Sequence, residues 1–153
     1  LKEYLLSQGV ESACISLGGN VITIGEKPDG SPFRIGIQEP FAAEGTTLDT
    51  VEIKDTSVVT SGIYERCFYE DGLLYHHVLD TATGYPVDNE LASVTIICDS
   101  STKADALSTS CLCMGLEKGR QFLDSQKDVE YLLITKDGTQ YASGNFPVIN
   151  KSP

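Results

Sequence analysis

The stretch S-T-K-A-D-A-L-S-T-S-C-L-C-M-G, Ser101 to Gly115, has the marks of a single helix. Thr102 is a fitting N-cap, Asp105 follows in the first turn where a carboxylate suits the helix dipole, and Gly115 supplies the stop. No charge falls between Asp105 and Gly115, so the helix is expected to be covered on most sides. Asp105 and Thr109 stand four apart and share one face. They offer a carboxylate and a hydroxyl, the hard oxygen donors that Mg2+ or Ca2+ takes. The same residues also fit an ordinary pattern, in which Asp105 completes a cap with Thr102 and Thr109 bonds back into its own helix. Caps far outnumber metal sites, so the segment by itself reads as a cap.

Outward from this helix the chain is mostly strands and tight turns. Leu91 to Cys98 is an apolar, β-branched strand running into it, and Leu116 to Asp124 is a second, more polar helix behind it. Tyr131 to Thr135 and Thr139 to Ala142 flank Asp137-Gly138, while Tyr64 to Glu70 and Leu73 to Leu79 flank Asp71-Gly72; both read as hairpins. Ala13 to Leu17 and Val21 to Ile24 form another around Gly18-Gly19-Asn20, where the glycines would also let a backbone approach a ligand. Between these lie an alternating strand over 33–38, a loop from Pro40 to Gly45, and strands at Thr47 to Ile53 and Thr56 to Thr60, with Ser61-Gly62 breaking the pattern. Leu1 to Gly9 reads as the end of a helix, and Asp80 to Pro86 as a tight loop in which the bond before Pro86 is expected to be trans. Hairpins dominate and the helices are grouped. The expected fold class is therefore α+β, a largely antiparallel sheet with packed helices, in one domain over 1–146 with a loose tail at 147–153.

A chain of 153 residues can bury about two-thirds of its unfolded surface, enough for one real core. Its 11 basic against 22 acidic residues give a net charge of −11, which argues against nucleic acid or anionic lipid as partners. A phosphate-bearing ligand would need a local cation, a helix N-terminus or a few placed basic groups. The five cysteines are odd in number and lack a C-x-x-C pair, so buried free thiols are expected. Leu1 is not an initiator methionine and no signal-peptide pattern precedes the first helix, so the chain reads as part of something longer.

The two histidines are adjacent. In a strand, Tyr75, His77 and Leu79 face one side, and His76, Val78 and Asp80 the other. Either histidine could be a base or a ligand contact, or simply a hydrogen-bonded structural residue. Asp80 at a strand exit and Asp105 at a helix entry lie where loop-borne sites form. Glu65-Arg66 reads as a surface ion pair. No G-x-G-x-x-G, G-K-[ST], G-x-S-x-G or H-E-x-x-H occurs.

In order along the chain stand G-G-N (Gly18–Asn20), T-S-G-I-Y-E-R (Thr60–Arg66), H-H-V-L-D-T-A-T-G-Y-P (His76–Pro86), S-V-T-I-I (Ser93–Ile97) and A-D-A-L-S-T (Ala104–Thr109). This succession resembles the ApbE family of FAD:protein FMN transferases. The resemblance implies an ApbE-like, T-fold-related α+β domain and Mg2+-dependent transfer of FMN from FAD to a Thr or Ser hydroxyl of a target protein, releasing AMP. It makes Asp105 and Thr109 metal ligands, against the cap reading. It makes His77 the catalytic candidate, activating the acceptor hydroxyl or orienting phosphates. Leu79 takes a flavin-contacting place, and Gly62, Tyr64 and Asp80 join it as cofactor-binding residues. Thr81 replaces the family's usual proline, and Ser108 stands where some members have an acid. The resemblance further implies a missing N-terminal segment of the same chain, hence an incomplete flavin site. It places the full-length protein in the cell envelope, outside the cytoplasm and membrane-anchored. Competing expectations are an FAD pyrophosphatase yielding FMN and AMP, a non-catalytic flavin-binding module, and a purely structural domain.

Overall fold

The computed structural model describes residues 1–147, so all but Pro147 of the expected tail lies outside the described residues. The elements run α1 (Lys2–Ser7), β1 (Ala13–Ser16), β2 (Asn20–Ile24), β3 (Phe33–Gln38), β4 (Thr47–Ile53), β5 (Ser57–Gly62), β6 (Cys67–Glu70), β7 (Leu73–His76), β8 (Leu91–Cys98), α2 (Ser101–Met114), α3 (Leu116–Asp124), β9 (Glu130–Thr135) and β10 (Gln140–Ala142). Six of the strands form one sheet in the order β1-β2-β5-β8-β9-β10, with every neighbouring pair antiparallel. Three excursions leave it: hairpin β3–β4 between β2 and β5, hairpin β6–β7 between β5 and β8, and the pair α2–α3 between β8 and β9. The α+β class with a mainly antiparallel sheet is what the chain forms.

Strand alternation separates two cores. Val59, Val94, Ile96, Cys98, Tyr131 and Leu133 point to the face covered by α2 and α3. Val58, Ile97, Leu132 and Ile134 point to the opposite face, where they meet Ile37, Val51 and Ile53 of the β3–β4 hairpin. Covering both faces is why β8 is buried at all eight positions and reads as a continuous apolar run rather than an alternating one.

Four details differ from the sequence reading. The N-cap of α2 is Ser100, whose hydroxyl accepts the Lys103 N–H at 3.3 Å, and not Thr102. Asp105 therefore lies beyond the first turn and belongs to no capping box. The helix is covered on one stripe only, Ala104, Leu107, Ser108, Cys111 and Leu112, and beyond Asp105 its outer face carries uncharged residues, Ala106, Thr109 and Cys113 among them, in solvent. Ser61 and Gly62 do not break β5; they pair with Val94 and Ser93 at its end, and the following turn over 63–66 shortens β6. The bond before Pro86 is trans. The cysteines are all free, but only Cys98 and Cys111 are buried; Cys14 faces out from the edge strand and Cys113 from the outer face of α2.

Candidate active site

The end of β5 is where the main sheet, α2 and the inserted hairpin meet. A cleft of about 360 Å³ opens there, lined by the Leu17–Asn20 turn, Thr60, Ser61 and Gly62 of β5, Glu65 and Arg66 of the following turn, His77 beyond β7, and Asp105 and Thr109 of α2. Gly18 and Gly19 both have positive φ, and a Cβ on Gly19 would come within 2.9 Å of the Thr60 carbonyl. Only glycine lets this turn lie so close on β5, where Thr60 N–H donates to Gly19 O at 2.7 Å.

The hydroxyls beside Asp105 have an ordered proton arrangement. Ser108 donates to the Asp105 carbonyl at 3.0 Å, so in its 2.7 Å contact with Ser61 it accepts. Ser61, having donated there, accepts from Thr109 across 3.2 Å. Thr109 therefore keeps its oxygen lone pairs free on the exposed face of α2, alongside the Asp105 carboxylate. Among the described residues that carboxylate has no ion pair, and neither do Arg66 and His77. The expected back-bond into the helix is made by Ser108, which is fully buried, and not by Thr109. Glu65 and Arg66 are not paired with each other; Arg66 is instead a cation facing the cleft of an otherwise acidic protein. Asn20 also lines the cleft, with its Oδ1 buried and unpartnered among the described residues.

Gly62, His77, Asp105 and Thr109 are thus brought together around the cleft, which Leu79, Asp80 and Tyr64 do not line. The alternation around the histidines continues past the end of β7: His76 and Val78 are buried, His77 and Leu79 exposed. Leu79 borders an adjoining apolar groove with Phe68, Tyr75, Tyr85 and Pro86, and His77 and Arg66 line both spaces. Phe68 and Tyr75 are stacked at 5.2 Å on its wall. Asp80 lines a further depression with Asn89, Cys113 and Met114, and its carboxylate accepts the Ala82 N–H at 2.8 Å, shaping the loop. The Tyr64 ring lies against Gly62 and edge-on to Phe41 at 5.8 Å, and its hydroxyl is buried without a partner among the described residues. Burial, and then the charge of Glu65, push its pKa up.

No group of three His, Cys, Asp or Glu side chains able to hold a metal occurs among the described residues. One carboxylate with adjacent hydroxyls nevertheless suits Mg2+, which keeps several waters and shares substrate phosphates with few protein ligands.

A family model described as the ApbE family matches residues 1–133. The chain belongs to this family. The FAD:protein FMN transferase of Klebsiella pneumoniae (strain 342) is 43% identical over 137 residues, covering 90% of this chain and 42% of that relative. The FAD:protein FMN transferase of Vibrio cholerae is 36% identical over 152 residues, covering 97% of this chain and 46% of the relative. Among solved structures, the ApbE protein of Thermotoga maritima superposes with a TM-score of 0.83 at 34% identity, over 94% of this chain and 46% of that one. This ApbE-family chain therefore spans less than half the length of the relatives it matches. Arg66 and Ser61 were the site residues hardest to see in its sequence: one resembled a surface ion pair, the other a strand break. Their common signal was membership of the single motif Thr60–Arg66.

Proposed function

We propose that this chain is the C-terminal portion of an enzyme that transfers FMN from FAD to a Thr or Ser hydroxyl of a target protein, releasing AMP. The observation that carries the reading is the grouping, in one cleft of an ApbE-family chain, of four uncommitted groups: the Asp105 carboxylate, the Thr109 lone pairs, the Arg66 guanidinium and the His77 ring. Arg66 attracts the diphosphate of FAD and orients it by charge-assisted hydrogen bonds. Asp105 and Thr109 would hold Mg2+, which when bound screens the diphosphate and stabilises charge on the phosphoryl oxygens. The acceptor Oγ attacks the phosphorus on the FMN side, forming an Oγ–P bond. The P–O bond to the AMP moiety breaks with its electron pair on the leaving AMP, and His77 takes the hydroxyl proton. Leu79 and the groove beside it offer an apolar surface for the flavin end, with Gly62 keeping the cleft floor open and Tyr64 and Asp80 shaping its surroundings. Envelope attachment of the full-length protein belongs to the same proposal; no helix of the described residues is long and apolar enough to cross a membrane.

The test is incubation of the full-length protein with FAD, Mg2+ and a Thr-containing acceptor peptide, read by intact mass. An added FMN mass that disappears with EDTA and with Asp105→Ala is expected. AMP with free FMN and an unlabelled peptide would mean a pyrophosphatase. FAD retained without either product would mean a flavin-binding module.

A further inference from the structure

We infer that His76, the buried neighbour of His77, is a positioning residue: its ring fastens the end of β7 to Val87 and so holds His77 and Leu79 toward the cleft and groove. Its consequence for rate rests on the transfer reading above; the geometry does not. His76 is 7% exposed, and its Nε2 lies 3.2 Å from the Val87 carbonyl oxygen. A carbonyl oxygen only accepts, so Nε2 carries the proton and Nδ1 is bare. Nδ1 is buried with no partner among the described residues.

The chain between these two anchor points is a closed loop. Val87 N–H donates to Val78 O at 3.0 Å, Leu79 bridges Pro86, Asp80 N–H donates to Tyr85 O at 2.8 Å, and Gly84 N–H donates to Asp80 O at 2.7 Å. His77 sits at the junction where the β6–β7 ladder ends, with Cys67 opposite His76, and this loop begins. The side-chain bond from His76 spans that junction. An apolar residue would fill the same space but leave the Val87 carbonyl without this donor. The neutral ring suits the place: a proton on Nδ1 would be buried with no acceptor. Burial accordingly lowers the His76 pKa, with the His77 and Lys136 charges acting the same way, while the bond to Val87 and the Asp88 charge act against them.

The experiment compares His76→Gln, whose amide nitrogen can stand where Nε2 stands, with His76→Leu, in the full-length protein. In the Leu variant kcat for FMN transfer should fall about tenfold or more while KM for FAD stays within about threefold, and Gln should hold the wild-type rate within about threefold. Equal losses in both, or no loss in Leu, overturn the inference. A wild-type protein that transfers no FMN defeats the transfer reading instead, and the geometry is then read by NMR. With only two histidines in the chain, their imidazole nitrogens are separable. His76 should be the Nε2–H tautomer, and the His77 signals should move in Leu and not in Gln. An Nδ1–H tautomer, or His77 signals indifferent to Leu, overturns it.

Discussion

Arg66 is the residue whose role changes most between sequence and structure. Beside Glu65 it looks like half of a surface ion pair, yet the two side chains are not paired and Arg66 faces the cleft. A guanidinium with no carboxylate on it is free for a phosphate, and a charge-assisted bond of that kind contributes roughly 1.5–3 kcal/mol. Arg66→Ala is expected to raise KM for FAD by about tenfold or more, and Arg66→Lys to recover only part of the loss, because an ammonium keeps the charge without the bidentate fork. Equal KM values in the three proteins would remove Arg66 from the site. For Asp105 and Thr109 a spacing of four on a helix fixes a shared face whatever the tertiary context, although the segment by itself reads as a cap. The sequence could not disclose which carboxylates are paired. Pairing depends on where a turn points its side chains, and Tyr64 to Arg66 read as strand where the structure has a turn over 63–66.

Elements were legible where local chemistry determines them. Asp71-Gly72 and Asp137-Gly138 both place positive-φ glycines at hairpin turns, and α3 occupies the expected span. Helix starts depend on a single hydrogen bond and are harder to see: Ser100, Ser101 and Thr102 are all capping residues by type, and only Ser100 accepts the Lys103 N–H. Ser100→Ala should therefore cost about 1 kcal/mol of folding stability and Thr102→Ala well under half of that, measured by denaturant unfolding. The α2–α3 contact makes a second prediction. A Cβ on Gly119 would lie 2.5 Å from Cys111 Sγ and 3.0 Å from Cys111 O, so the helices pack tightly there. Gly119→Ala should destabilise by roughly 1–3 kcal/mol. Adding Cys111→Ala, which removes the sulfur but not the carbonyl, should recover part of that cost in a double-mutant cycle. Strict additivity would mean that the helices shift apart instead. Burial pushes the Cys111 thiol up to about 12, so thiol reagents should spare it and modify exposed Cys14.

At the scale of the whole molecule, stability should respond to pH in two separate windows. His76 folds with its pKa lowered from 6.5, chiefly by burial, so the unfolded chain binds a proton that the folded one refuses. Its contribution is complete above pH 6.5 and is lost as pH falls below that value toward the folded pKa. Asp55 is held low by its hydrogen bond from Lys2 and by the Gly25 N–H. Asp29 and Asp137 are held low by the hydroxyls of Ser31 and Thr135. For these three, stability is present above 3.8 and is lost as pH falls through their folded values. Self-repulsion works against the first loss, because a net charge of −11 shrinks as the medium approaches a pI near 4.4. That general relief acts on every variant alike, whereas the His76 contribution belongs to one ring. Between about pH 7 and about pH 5 the wild type should therefore lose stability relative to His76→Gln, measured by urea unfolding at each pH. Parallel profiles for the two proteins would show that the ring takes up its proton equally well folded and unfolded. In that case the buried, unpartnered Nδ1 would have to find an acceptor when protonated, through a rearrangement of the loop between Val78 and Val87.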